Sequence, residues 1–361
     1  MIYLVVFAIS IITYFISDRV KLKYIRNILL IVSLIVPVLL AAYRGTEIGT
    51  DIKTYVLPSY NIASMQTTFI NFVKNNYFVT DIAFNILVYI CSTIFKSFHA
   101  LLGIIQLLIS LPVYVVIQKK LEKRDRTVAI SFYYFVFYCL GLNMMRQSIA
   151  IAFGILALCY FEEKKRIKYI IFFVIALSFH KSAVFVLVIT LVHYINKRYH
   201  KKYISYMCAT GIIFSTFFFQ QLTRVVVKLF PGLLSGYAEY ISAEKLNIPY
   251  VELALYGYIL LAGIKLINDK NSDKRFLGLM SLCSIAGVFI SSSMVVIGRI
   301  MIYCNYFAIF SINEMKLWVR KNNTNYILVV AIDYAVIVMY WFIQYIYLKN
   351  NEVYPFYFDM R

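Results

Sequence analysis

Three arginines lie at the ends of apolar segments, where a charged side chain is costly to keep. Arg146 follows Asn143 by three residues and precedes Gln147, so one helix face presents a guanidinium with two amides beside it. Arg44 ends an early apolar segment, and Arg299 interrupts a late one. Arginine binds phosphate oxygens through a planar fork of N–H donors. These side chains are therefore candidates for holding an anion such as a lipid pyrophosphate, and anchoring to headgroups is the alternative.

Two side chains are candidates for a general base. Asp51 follows Gly49 in a turn-rich stretch, and His180 ends an apolar run just before Lys181. A carboxylate or a neutral imidazole can take a proton from a hydroxyl group. The structural alternatives are an Asx turn for Asp51 and a hydrogen-bonded core histidine for His180. The residues alone leave both alternatives open.

The composition indicates that these residues belong to a membrane protein. The 361 residues are 62% hydrophobic and 15% charged, whereas about a quarter of the residues in a soluble domain are charged. The net charge of +19 could indicate a nucleic-acid partner, but Lys and Arg fall in short clusters between apolar segments. That pattern is typical of cytoplasmic loops. We therefore predict an all-α, polytopic membrane protein that binds no nucleic acid.

The basic clusters also predict the topology. If they face the cytoplasm, the chain crosses the membrane about twelve times as one transmembrane domain (1–361), with both ends outside. Residues 81–95 are too few for a full span and begin at an aspartate, which predicts a re-entrant or interfacial helix. The two outer loops are then about 44–97 and 220–250. Arg299 lies between the predicted spans 276–297 and 300–313.

This topology places the chemically capable residues on the same side. A hairpin runs from Asn143 to Ser182, and its two apolar legs are joined by the charged residues 162–166, so Arg146 and His180 return to the same depth. The predicted outer side holds Arg44, Asp51, Arg146, His180, Arg299 and the segment around Tyr354. We expect one common site.

The sequence lacks the motifs that several kinds of enzyme chemistry require. It has no HExxH, no Walker loop and no GxSxG, and its six cysteines include no CxxC pair. We expect no metal and no cofactor. The 29 Phe and 32 Tyr residues are more than interfacial belts need, so outer tyrosines could stack on sugars, with packing as the alternative.

Several short motifs, taken together, resemble the EpsG-like family of bacterial polysaccharide polymerases, functional relatives of the Wzy O-antigen polymerases. The matching features are Ala41 to Arg44, Gly49 to Asp51 with Tyr55, Asn143 to Gln147 with Ala150, Phe179 to Ser182, Gly298 to Arg299 with Tyr303, and Val353 to Pro355. The resemblance covers nearly the whole chain.

The resemblance implies a multi-pass protein of the bacterial cytoplasmic membrane with its site on the outer face. It implies a glycosyltransferase-type reaction that joins oligosaccharide repeat units carried on undecaprenyl pyrophosphate, with a flippase and a chain-length regulator as further partners. Asp51 or His180 would activate the acceptor. The groups expected to bind pyrophosphate or sugar are Arg44, Asn143, Arg146, Gln147, Arg299, Tyr303 and Tyr354.

Two other functions fit a polar site in a membrane protein. The first is a transporter or flippase of a lipid-linked or anionic solute, which should show internal repeats or helices broken at the midplane. No repeat is evident, and the charged groups lie at the outer ends of the segments. The second is a membrane acyltransferase, for which the predicted inner face carries no supporting motif.

Overall fold

The computed structural model describes residues 1–198, 210, 248–292, 295–321 and 326–359. Apart from short connections these residues are helical, and one isolated antiparallel bridge joins Arg44 to Phe358. The predicted all-α class is confirmed. The chain forms two compact units, one made of Met1–Val186 with Ile337–Arg361 and the other of Leu187–Val336. Except for residues 248–250, the predicted outer loop 220–250 lies outside the described residues.

The first part of the chain forms eleven helices within residues 1–198. They are α1 (Ile2–Ser17), α2 (Lys23–Ala42), α3 (Leu57–Ser64), α4 (Phe69–Asn75), α5 (Ile82–Thr93), α6 (Phe98–Lys120), α7 (Lys123–Phe132), α8 (Cys139–Asn143), α9 (Met145–Glu162), α10 (Arg166–Phe179) and α11 (Phe185–Arg198). Two π-helical segments, Ile52–Val56 and Tyr133–Tyr138, lead into α3 and α8, and a 3₁₀ turn, Lys181–Val184, precedes α11.

The later helices follow after residue 248. They are α12 (Tyr250–Leu266), α13 (Ser272–Ser291), α14 (Val295–Asn305), α15 (Ala308–Lys321) and α16 (Tyr326–Trp341), and α16 continues as the π-helical segment Phe342–Tyr347. Among the described residues, five helical stretches are long and apolar enough to cross a membrane: Lys23–Ala42, Phe98–Lys120, Met145–Glu162, Ser272–Ser291 and Ile327–Tyr347. These apolar helices indicate a membrane protein. The count of twelve spans stays a prediction.

The predicted hairpin is present as the antiparallel pair α9 and α10. Phe153 stacks on Phe172 with ring centroids 6.0 Å apart, and Phe161 lies 5.4 Å from Tyr169 near the connecting loop. The 3₁₀ turn after α10 contacts α9. Met145 at the start of α9 and Ala183 in this turn belong to one core cluster, so the turn that follows His180 returns toward the beginning of α9.

The loops that follow α1, α6 and α9 meet at one end of the first unit, which we call the basic end. Arg126 Nη1 donates to Asp18 Oδ1 at 3.1 Å, and Lys119 Nζ lies 2.7 Å from Glu163 Oε1. A further ion pair joins Lys120 to the end of α9. Three of the predicted cytoplasmic clusters thus share one end of the bundle. The opposite end of α9, where Arg146 lies, is called the Arg146 end.

Buried aromatic side chains fill much of the first unit. Phe7 stacks on Tyr134 at 5.3 Å and meets the Trp341 ring edge-on at 6.3 Å. The hydroxyl of Tyr138 donates to the Pro37 carbonyl at 2.6 Å, so this phenol is satisfied inside the bundle. The fully buried tyrosines of this unit include Tyr3, Tyr14, Tyr133, Tyr134, Tyr138 and Tyr345. Packing is the role of these rings.

The predicted boundaries around Arg299 are wrong. Instead of a turn between 276–297 and 300–313, the structure has α13 ending at Ser291 and α14 carrying an exposed Arg299 within it. Gly298 serves helix packing, because a Cβ there would lie 2.4 Å from the Cβ of Ser291. The missing side chain of Gly298 lets α14 approach α13 closely.

Candidate functional site

The Arg146 end is built around a break between α8 and α9. Met144 (φ −97°, ψ 61°) interrupts the helix, so carbonyls at the end of α8 and N–H groups at the start of α9 need partners. Arg44 Nη2 donates to the Leu142 carbonyl at 3.3 Å, and Asp51 Oδ2 accepts from the Met145 N–H at 3.0 Å. A cation at a helix C-terminus and an anion at an N-terminus both match the helix dipole. Arg44 and Asp51 therefore stabilise the break.

Arg44 is almost completely buried, with 1% of its surface exposed. Its Nη1 donates to the Ala41 carbonyl at 3.2 Å, and its Nη2 also lies 3.5 Å from the Met145 sulfur. Burial lowers the pKa of Arg44 to about 10, which leaves it protonated at neutral pH. The sequence predicts that Arg44 binds an anion. In the structure, its hydrogen bonds go to two backbone carbonyls and to the thioether of Met145.

Arg146 has different surroundings, because its side chain keeps 22% of its surface exposed. Its Nη1 forms an ion pair with Asp81, and its Cζ lies 4.3 Å above the centre of the Tyr55 ring. Its Nε is buried and has no hydrogen-bond acceptor in the part of the chain that the structure describes. Of the two arginines at this end, Arg146 is the one that an external anion can reach.

Tyr55 connects Arg146 to Asp51. The ring is 6% exposed, stacks under the guanidinium and donates its hydroxyl hydrogen to Asp51 Oδ2. Burial and, after it, the charge of Asp51 raise the pKa of Tyr55 well above its ordinary value. The phenol therefore stays protonated and acts as a donor. Asp51 Oδ2 thus accepts from both the Tyr55 hydroxyl and the Met145 N–H.

The C-terminal segment packs against this end of the first unit. The Gly45 N–H donates to the Tyr357 carbonyl at 2.9 Å, and Asn143 Nδ2 donates to Asn351 Oδ1 at 3.0 Å. Asn143 Oδ1 accepts from the Thr50 hydroxyl. The amide that the sequence assigned to ligand binding thus joins the Asp51 loop to the C-terminal segment.

Gly49 allows the Asp51 loop to lie against the helix break. Its φ is +86°, and a Cβ at this position would lie 2.6 Å from the Leu142 carbonyl oxygen. Its N–H donates to the Glu352 carbonyl at 3.1 Å. Both the positive φ and the close approach require glycine.

His180 caps the 3₁₀ turn that follows α10. Its Nδ1 accepts from the Ser182 N–H at 3.2 Å and lies 2.7 Å from the Ser182 hydroxyl. Because a backbone N–H can only donate, this contact requires an unprotonated Nδ1. A neutral imidazole has one acceptor nitrogen, so capping uses the lone pair that a general base would need.

The remaining predicted residues lie in other surroundings. Gln147 is buried at 6% exposure in the first turn of α9, and Tyr354 in the C-terminal segment is 36% exposed. Arg299 is exposed and Tyr303 is buried, and both belong to the second unit. Their contribution to binding stays a prediction.

Sequence reasoning missed Asp81 as the partner of Arg146. Its position was interpreted only as the polar start of a short helix, and its partner lies 65 positions further along the chain. The available signal was an acid directly before an apolar segment on the same predicted side as Arg146. Opposite charges at the mouths of membrane helices tend to pair.

The fold and this site define a class: an all-helical membrane protein with buried and half-buried ionic groups at one end of a helix bundle. The model of the EpsG family matches residues 27–358, essentially the whole chain. The chain belongs to the EpsG family. Searches of curated proteins and of solved structures gave no match.

Proposed function

We propose that this protein is a membrane polysaccharide polymerase that joins oligosaccharide repeat units carried on undecaprenyl pyrophosphate. The growing chain leaves its lipid carrier and passes to the next unit. Family membership supports the polymerase class. The observation that carries the chemistry is the half-buried Arg146, held by Asp81 and Tyr55 at a helix mouth.

Arg146 would neutralise the charge that develops on the leaving pyrophosphate. A fixed guanidinium in a partly desolvated place stabilises such charge without a metal ion. The donor is already activated by its pyrophosphate, so the reaction consumes no nucleotide. Arg44 would contribute through the helix break, since it is buried beneath the same segment.

Asp51 is the better candidate for the base that activates the acceptor hydroxyl. Capping of the 3₁₀ turn uses the single acceptor nitrogen of neutral His180, which favours Asp51 as the base. Asp51 also lies one hydrogen bond from Tyr55, on which Arg146 stacks. Base and cation are therefore close enough to act on one substrate.

An apolar cavity of about 370 Å³ supports a lipid-linked substrate. It lies between α1 and α2, and its lining includes Leu39, Tyr43 and Phe358. Phe358 pairs with Arg44 through the isolated bridge, so the cavity adjoins the Arg146 end. A hydrocarbon chain suits this lining.

The proposal includes a topology of about twelve spans in the bacterial cytoplasmic membrane, with the Arg146 end on the outer face. Single-cysteine labelling with a membrane-impermeant reagent tests the side. Positions 51 and 181 should label from outside, and positions 120 and 165 should not. Labelling of position 120 from outside would show that the orientation is the reverse of the one proposed.

The activity is tested with purified full-length protein and a synthetic undecaprenyl pyrophosphate-linked repeat unit. The expected product is a ladder of polymer lengths on a gel, without added nucleotide or metal. A protein that only moves the lipid-linked unit between the leaflets of a vesicle would support the transporter or flippase instead. A flippase and a chain-length regulator are the partners expected in the cell.

A further inference from the structure

We propose that Asp81 is a positioning residue that fixes the direction of the Arg146 guanidinium. The inference rests on the proposed function, because it concerns how the cation of that site is held. Its starting point is the ion pair between these two side chains, in which Asp81 is 8% exposed. No motif in the sequence joins them.

Asp81 is itself held in place by a buried amide network. Asn76 Nδ2 donates to Asn85 Oδ1 at 2.8 Å, and Asn85 Nδ2 donates to the Val79 carbonyl at 3.0 Å. Ser59 Oγ lies 3.1 Å from Asn76 Oδ1. Asp81 is the N-cap residue of α5. The network joins Asn85, in the first turn of α5, to Val79, two residues before Asp81. Satisfied buried networks rigidify their surroundings, so the backbone that carries Asp81 has a fixed place.

Arg146 is constrained from a second direction by Tyr55. The ring lies against the guanidinium carbon at 4.3 Å, and the Tyr55 hydroxyl is held by Asp51. Asp51 in turn accepts from the Met145 N–H, one residue before Arg146. A carboxylate on one nitrogen and an aromatic face below the plane together define the orientation of the guanidinium.

This orientation matters because a free arginine side chain has about 2 kcal/mol of rotamer entropy. A cation that stabilises charge in the transition state acts best when it is already in place. A misplacement of about 1 Å can cost on the order of 100-fold in rate. Loss of Asp81 should therefore lower kcat much more than it raises KM.

The experiment compares steady-state polymerisation by purified full-length wild type, Asp81→Asn, Asp81→Glu and Asp18→Asn with the synthetic lipid-linked repeat unit. Asp18 is a matched control: it is similarly buried, and it pairs with Arg126 at the basic end. We expect Asp81→Asn to lower kcat about 100-fold while KM changes less than about threefold. Asp81→Glu should have a kcat about tenfold higher than that of Asp81→Asn. Asp18→Asn should keep the wild-type kcat.

A swapped pair, Asp81→Arg combined with Arg146→Asp, separates positioning from simple stabilisation. The swap restores the ion pair but places the cation on the wrong element. We expect its thermal stability to exceed that of either single variant and its polymerisation to stay absent. Polymer from the swapped protein would show that the pair is only structural, and would overturn the inference.

The remaining outcomes also decide the question. A wild-type kcat in Asp81→Asn overturns the positioning role and leaves the proposed function intact. Should Asp81→Asn fail to accumulate, Asp81→Glu carries the test: a lowered kcat at unchanged KM supports the inference, and a wild-type kcat contradicts it. A wild-type protein that makes no polymer overturns the proposed function and this inference with it.

Discussion

The basic end and the Arg146 end of the first unit each contain an ion pair of similar burial, but the two arginines are satisfied differently. All three nitrogens of Arg126 have partners: Nε donates to the Leu121 carbonyl at 2.9 Å, Nη2 to the Gln118 carbonyl at 2.8 Å and Nη1 to Asp18. Arg146 has one carboxylate partner, an aromatic face and a buried Nε without an acceptor among the described residues. A guanidinium whose three nitrogens all donate to the protein caps the helix end, whereas one with a nitrogen that has no acceptor can bind a further anion.

The largest expected effect separates these two arginines directly. Arg146→Ala should leave no detectable polymer, because the charge on the leaving group loses its stabilising cation. Arg126→Ala, the matched change at the basic end, should lower thermal stability but preserve activity per folded molecule. Gel ladders from equal amounts of purified protein measure both. Long chains from Arg146→Ala would remove the anion-binding role.

The second prediction tests whether Asp51 does more than stabilise the helix break. Asp51→Asn keeps an oxygen that can accept from the Met145 N–H but removes the basic carboxylate. Turnover should fall about 10²–10⁴-fold with little change in KM, and His180→Gln should stay near wild type. Steady-state kinetics with saturating lipid-linked substrate distinguish the two. Near-normal turnover in both variants would mean that neither residue is the base.

The third prediction concerns the backbone that brings Asp51 to the helix break. Gly49→Ala should destabilise the protein by about 1–3 kcal/mol, because alanine strains at this positive φ and meets the Leu142 carbonyl. Gly141→Ala is the control, since its Cβ would contact the Ile109 side chain at an ordinary 3.5 Å. It should change stability by less than about 1 kcal/mol. Thermal unfolding in detergent measures both, and equal melting temperatures would contradict the account of Gly49.

The smallest effect is expected at the basic end. A hydrogen bond from Lys119, followed by one from Lys165, lowers the pKa of Glu163 to about 2. The depressed pKa stabilises the folded state above the unfolded value of about 4.3, and this contribution is lost as the pH falls toward 2. The pair is solvated, so Glu163→Gln should cost less than about 1 kcal/mol at pH 7. The difference in melting temperature between variant and wild type should shrink as the pH falls toward 2 and vanish below it, and a constant difference would contradict the linkage.

The sequence by itself determined the class of protein and the course of the hairpin. Hydropathy and Lys/Arg clustering depend only on residues that are neighbours along the chain. They therefore predicted the apolar helices and the two legs of the hairpin, which the structure forms as α9 and α10. The same local patterns placed Arg44, Asp51 and Arg146 on one side of the bundle. They could not tell these arginines apart, because burial depends on what packs above each residue.

Only the tertiary structure decided which groups are partners. Asp81 and Arg146 lie 65 positions apart, and Arg44 meets a carbonyl 98 positions away, so no local pattern predicts either contact. Neither Gly nor Pro stands at the helix break itself, where the residue is Met144. The charges of Arg44 and Asp51 stabilise the two helix ends there. Partner choice at this site is a property of the fold, since it depends on distances that the folded chain alone creates.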